Sequence, residues 1–271
     1  MAVLMALVVL LPFSWLIISS VSSTNDLNSL HIHWIPQHPS LARYRNIFSS
    51  ASGGDNVAAN FRVAMSNSLV VATSTVLISM VVGSLAGYAF ARLRFRFRRT
   101  LLFSFLGIYM LPPIALVIPL YLSLAALHLL DSKIGLIITY GSIVTPFCIW
   151  TMSNYYMALP EDLEEAARVD GCSRLGAFAR VILPLALPGL VTTAMFGFLL
   201  AWDEFLYSLI FTSTLNSKTI PVAIAEFTGK YSSDFGLVAA GGVLASLPPV
   251  VFALAFQRYI VGGLAAGGVK G

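Results

Sequence analysis

The chain has 271 residues, 58% of them hydrophobic and 10% charged. Soluble domains carry about 25% charged residues, and the mean hydropathy of this chain is +0.84. A chain this apolar has too few polar groups to cover a water-facing surface, so lipid is the expected solvent. The same numbers exclude a disordered chain, a collagen-like chain and a disulfide scaffold. The formal net charge is +4. No basic cluster sits on a soluble domain, which argues against a nucleic-acid partner.

Six apolar segments follow one another, at about 1–20, 64–90, 101–125, 134–157, 186–213 and 236–260. Each is long enough to cross a bilayer, some with tilt. A helix satisfies its own backbone hydrogen bonds in lipid, and no period-two barrel pattern runs through these segments. The expected fold is therefore all-α, with six transmembrane helices forming one domain over 1–271. Residues 1–20 lack the charged start of a signal peptide and read as a retained first span.

Arg92, Arg94, Arg96, Arg98 and Arg99 crowd the loop after the second segment. Positive charge marks the cytoplasmic side. Arg168, Arg174, Arg180, Arg258 and Lys270 fall on that side. Arg43, Arg45, Arg62, Lys133, Lys218 and Lys230 fall opposite. Both termini are thus expected in the cytoplasm. The arginine run alternates with Leu93, Phe95 and Phe97, as a lipid-headgroup anchor or a partner-facing surface would. Prolines interrupt several segments, among them Pro112, Pro113, Pro119, Pro146, Pro188, Pro248 and Pro249, and each can kink a helix. Gly83 and Gly87 make a G-x-x-x-G step, which permits close helix packing within the chain or between subunits. Cys148 in an apolar stretch and Cys172 in a polar loop are not expected to pair.

The loop 158–185 is polar and patterned. Pro160 suits a first helical turn, and Glu161, Asp162, Glu164 and Glu165 put negative charge at its amino end. Gly171 is a helix stop, Ser173 can cap a second helix reaching Leu183, and Pro184 marks its end or a bend. Two short helices joined at a glycine turn are expected outside the bilayer. Ala166 and Ala167 are small enough for a partner to approach closely. Because the loop runs straight into the fifth segment, a push on it would tilt that helix.

Glu165-Ala166-Ala167, then Gly171 after three residues, then Val181 and Leu183-Pro184 resemble the EAA loop of the permease subunits of ATP-binding-cassette (ABC) importers. The family usually has Ile where Val181 stands. Asn67-Ser68-Leu69, Ala201-Trp202-Asp203-Glu204-Phe205 and the stretch from Phe256-Gln257-Arg258-Tyr259 to Gly267-Gly268-Val269-Lys270-Gly271 resemble the smaller, six-span partner in maltose-type carbohydrate importers. The family often has Asn at the position of Asp203. The resemblance covers the chain from about residue 60 onward. It implies a plasma-membrane protein of a bacterium or archaeon. It also implies a second related permease, two ATPase subunits that hold ATP and Mg2+, and an extracytoplasmic solute-binding protein. This chain would hold no cofactor and no metal. Glu164, Glu165, Ala166, Ala167, Asp170, Gly171, Leu183 and Pro184 are the implied ATPase-coupling residues, and the tail Val269 to Gly271 a further contact with the ATPases.

Trp202, Asp203, Glu204 and Phe205, with Asn67, are the candidates for the substrate path. A carboxylate at depth is costly and normally faces a cavity or partner; it also accepts hydrogen bonds from sugar hydroxyls, while Trp202, Phe205 or Tyr207 offers a face to a sugar ring. The alternative for Asp203 and Glu204 is snorkelling near the interface or an ion pair with another subunit. His31, His33, His38 and Glu226 lie in loops without convincing further ligands for a metal. No G-x-x-x-x-G-K-[ST] occurs, so no conventional phosphate loop is present, and no catalytic residue is assigned. The resulting expectation is the permease of an importer for a sugar, oligosaccharide or glycoside. Glycerol phosphate or another polar solute is the alternative cargo. A proton-coupled carrier or an intramembrane enzyme would leave the patterned loop unexplained.

Overall fold

A computed structural model describes residues 1–29, 33–49, 57–228 and 234–268. His31, Lys230, Lys270 and the tail Val269 to Gly271 lie outside these residues. The described chain is helical. In order come α1 (Ala2–Val21), α2 (Val57–Arg92), α3 (Arg98–Tyr109), α4 (Pro113–Ala126) and α5 (Lys133–Ala158). Then follow α6 (Asp162–Val169), α7 (Arg174–Leu185), α8 (Leu187–Trp202), α9 (Leu206–Phe211), α10 (Ile220–Ala225) and α11 (Phe235–Gly268). Short helical pieces at Thr24–Leu27 and Ala42–Phe48 link α1 to α2.

Among the described residues, three helical stretches, Asn60–Arg92, Lys133–Ala158 and Phe235–Tyr259, are long and apolar enough to cross a membrane. Two bent pairs raise the number to five if each is one span. The apolar stretch Leu7–Val21 in α1 is shorter. Two expected spans are therefore not continuous helices. The one at 101–125 is α3 and α4, bent by 94° between Tyr109 and Pro113. Pro112 is extended at φ −64 and ψ 126, because a following proline disfavours the α region, and Pro113 then opens α4 from a position where its missing amide costs nothing. The one at 186–213 ends its first helix at Trp202 and restarts at Leu206.

The chain packs as two compact units, each built from segments distant in sequence. The first comprises Met1–Leu69, Asp131–Lys133 and Ser208–Val250. Its core holds Ile47, Phe61, Ile220, Val222 and Phe227, with Phe61 stacked on Phe227 at 5.9 Å. A Cβ on Gly241 would lie 2.9 Å from the Phe227 ring. Arg43 donates to both carboxylate oxygens of Asp234, at 3.0 and 3.2 Å, and to the Ser22 carbonyl. That binds the chain after α1 to the start of α11.

The second unit comprises Val70–Leu130, Ile134–Tyr207 and Val251–Gly271. Here α2 and α5 lie in close contact along the Gly83 and Gly87 step. A Cβ on Gly87 would fall 2.9 Å from Met152 Cβ, and one on Gly83 only 2.5 Å from Cys148 Cβ. The glycine step is thus used inside the chain. Ser79 and Thr145 share a hydrogen bond at 2.9 Å, and Ser84 and Tyr156 share one at 2.6 Å. Tyr88, Ala91, Met152, Tyr156, Phe178, Ile182 and Ala186 form a core at one end of these helices. Both cysteines are free thiols.

Candidate functional site

The polar loop folds as the residue pattern requires, with one shift. α6 begins at Asp162 after Glu161 as its N-cap, so Pro160 lies just outside the helix rather than in its first turn. The helix ends in a Schellman motif: Cys172 N–H donates to Ala167 O at 3.0 Å and Gly171 N–H to Arg168 O at 3.1 Å. Gly171 closes it at φ +88, in the left-handed region where a Cβ is costly. Ser173 then caps α7, its hydroxyl oxygen accepting from Gly176 N–H at 3.1 Å. Phe178–Ile182 forms a π turn inside α7. Leu183 and Pro184 finish that helix, and the chain bends by 76° into α8. The turn is at Ala186, φ −82 and ψ 2.

α6 has two faces. Glu164 and Ala167, three residues apart on one face, are buried. Glu165, Ala166 and Asp170 are exposed. Beside them Val169 is 87% and Leu175 69% exposed, two apolar side chains around the Gly171 turn that the loop offers outward. Residue pattern alone did not single these out. Exposed aliphatics flanking a tight polar turn are the signal that marks such a surface.

The buried face is fastened to the end of α2. Tyr88 donates its hydroxyl proton to Glu164 Oε1 at 2.6 Å. Arg92 Nε stands 3.5 Å from Glu164 Oε2. Its two other nitrogens donate to Glu161 Oε1 at 3.3 Å and to the Leu159 carbonyl at 2.8 Å. Arg92 and Glu164 are 5% and 9% exposed at their side chains. The second arm reaches the same tyrosine: the rings of Tyr88 and Phe178 lie 4.5 Å apart. Arg92 reads in the sequence as one more orienting charge, and its pairing across the chain carries no local signal.

The expected path residues fall into two groups. Asn67 is 1% exposed, and its amide donates to Leu215 O and Lys218 O, both at 2.9 Å. Trp202 is 4% exposed and stacked on Phe198 at 5.3 Å. Both side chains are packed inside the chain in this structure. Asp203 and Phe205 are exposed, at the interruption between α8 and α9. Glu204 bridges that interruption: its Oε1 accepts from Tyr207 N–H at 2.9 Å, capping α9 three residues on. The break between α8 and α9 has local contributors: Asp203, a residue type that favours helix ends and here the C-cap of α8, and the Glu204 side chain, which bonds Tyr207 N–H instead of continuing the helix.

In the first unit, Asp131 gathers the segment 211–218. Its Oδ1 accepts from Ser213 N–H and Thr214 N–H, each at 3.0 Å, and from the Ser217 hydroxyl. Burial pushes its carboxyl up, but the hydrogen bonds from Ser217, Thr214 and Ser213 outweigh that and hold it well below the usual carboxylate range. Ser68 accepts from Ile220 N–H at 2.8 Å. The Asn67-Ser68 pair thus brackets the same segment.

Residues 79–265 match the family described as the binding-protein-dependent transport system inner membrane component. The chain is 41% identical to the trehalose transport system permease protein SugB of Mycobacterium tuberculosis, over 100% of this chain and 97% of that one. It is 35% identical to the trehalose/maltose transport system permease protein MalG of Thermococcus litoralis, over 100% and 95%. Among solved structures, it resembles a chain of a bacterial ABC transporter involved in the import of the acidic polysaccharide alginate. The TM-score is 0.78 at 21% identity, covering 95% of this chain and 92% of that one; at this identity the likeness shows the fold. The chain belongs to the family of binding-protein-dependent transport system inner membrane components, the permeases of ABC importers.

Proposed function

We propose that this chain is a six-span transmembrane subunit of an importer for a disaccharide, oligosaccharide or related glycoside. Relatives over nearly the whole chain are named for trehalose, maltose, diacetylchitobiose and sulfoquinovosyl glycerol, which share a glycosidic class. The observation that carries the reading is the loop 159–185: two short helices, a left-handed Gly171 turn, one face fastened to the end of a long apolar helix and the other exposed. A surface of that shape suits docking by a separate motor.

In this reading a second permease completes the path, two ATPase subunits holding ATP and Mg2+ drive it, and an extracytoplasmic binding protein delivers the solute. Both termini face the cytoplasm with the arginine-rich loop, which rests against acidic lipid headgroups. Glu165, Ala166, Asp170 and Gly171 meet the ATPase. Asp203 and Phe205 line the path, the carboxylate accepting from sugar hydroxyls and the ring covering a sugar face. The chain performs no bond chemistry.

The test is uptake into proteoliposomes holding the complex that co-purifies with this chain, together with its binding protein. Labelled trehalose, maltose and diacetylchitobiose are offered with ATP supplied on the motor side. Accumulation of at least one sugar, abolished by vanadate and indifferent to an uncoupler, is expected. Accumulation that an uncoupler abolishes while ATP is held constant would replace this reading with an ion-coupled carrier.

A further inference from the structure

We propose that Tyr88 and Arg92 of α2, gripping Glu164 of α6, are the joint through which the loop's movement enters the membrane-spanning helices, so that α2 and α5 are driven first and α8 follows. The inference rests on the importer reading above and names the residues that would carry its coupling. Continuity of the chain suggests the opposite, since the loop runs into α8. That connection, however, passes through a π turn at Phe178–Ile182 and then a 76° bend at Ala186. A π turn and a sharp bend are places where a helix yields. The connection to α2 has neither.

Both arms of the loop converge on one side chain. α6 reaches Tyr88 through Glu164 at 2.6 Å, and α7 reaches it through the Phe178 ring at 4.5 Å. Arg92 holds the link between α5 and α6 as well, through Leu159 O and Glu161. A load on α2 is shared at once with α5, because Gly83 and Gly87 bring their backbones together and Ser84 bonds Tyr156 at 2.6 Å.

The chemistry of the joint also favours coupling over simple stability. An apolar residue at a buried helix position stabilises as well as an ion pair does, or better, and Ala167 shows that the same face of α6 accepts one. A charged pair adds direction: it resists sliding of α6 along α2, since any slip strands a buried carboxylate.

The reconstituted complex decides it, with uptake and ATP hydrolysis measured in the same vesicles, using the sugar that the wild type accumulates. Tyr88→Phe removes one hydroxyl and keeps the ring. It is expected to leave ATP hydrolysis within about twofold and to lower sugar taken up per ATP by about tenfold, the scale of a hydrogen bond to a charged group. Glu164→Gln is expected to do the same. The double variant is expected to be no worse than the weaker single one, because both act through one bond. If Glu164→Gln fails to assemble, Tyr88→Phe alone decides. Unchanged sugar per ATP in Tyr88→Phe, or equal losses of hydrolysis and uptake, would overturn the joint while vanadate-sensitive wild-type uptake stands. A wild-type complex without vanadate-sensitive uptake would overturn the importer reading, and the joint with it.

Discussion

Two carboxylates fasten two loops of this chain, and they do so by opposite means. Asp131 accepts from two backbone amides and a serine, all within the segment it shapes. Glu164 accepts from a tyrosine and faces an arginine, both on a different helix. Neutral donors around Asp131 tie the link between α4 and α5 to the segment 211–218 without a second charge. The buried charge of Glu164 is balanced only while α6 and the end of α2 stay together. The segment 211–218 is therefore built as a fixed surface, and the loop 159–185 as part of a lever.

The strongest way to break this contrast is Arg92→Met. It leaves Glu164 buried without its counter-charge, at a cost of about 3–5 kcal/mol. Thermal unfolding in detergent, followed by exposure of the buried Cys148 thiol, would show it as a large drop in Tm. Adding Glu164→Leu is expected to restore part of the Tm without restoring uptake, which separates stability from coupling.

Asn67→Ala is next. It leaves the Leu215 and Lys218 carbonyls without their amide donor, a loss of about 1–3 kcal/mol, read as a smaller fall in Tm with sugar per ATP unchanged.

Asp131 sharpens the contrast through pH. Its folded carboxyl is held below the ordinary range. Its contribution to stability is thus complete above the unfolded value of about 4 and fades as pH falls from there towards the folded value. The Tm gap between wild type and Asp131→Asn is expected to be constant from about pH 5 to 7 and to narrow only below about pH 4. A gap that narrows on raising the pH would contradict the assignment. The smallest effect belongs to Lys218→Met. Its ion pair with Glu226, at 2.6 Å and partly exposed, is worth about 0–1 kcal/mol, and its Tm is expected to stay near that of the wild type in high salt.

Legibility from sequence followed distance along the chain. The Gly171 turn, the Ser173 cap and the two-helix loop were readable because each arises from neighbours within a few residues. Pro112 and Pro113 announced a disturbance, but a 94° turn depends on what the two half-helices pack against. Asp203-Glu204 stood out as acidic residues in an apolar run. Their effect, ending one helix and capping the next, appears only once Glu204 is seen to accept from Tyr207. The residue types of Asn67 and Trp202 suit a solute path, and their burial against Leu215, Lys218 and Phe198 depends on segments far along the chain or on helix packing. The pairing of Glu164 with Tyr88 and Arg92 was invisible, since nothing near either partner names the other.

The most direct test of the account is a gentle detergent pull-down of this chain from its native membrane, beside a Gly171→Trp variant, with mass spectrometry of what accompanies each. A Cβ at φ +88 strains the turn, and the indole projects from the exposed face where the motor would dock. A second permease and an ATPase are expected with the wild type, and the permease without the ATPase for the variant. A wild-type chain that purifies alone and still transports, or a variant that keeps its ATPase, would contradict it.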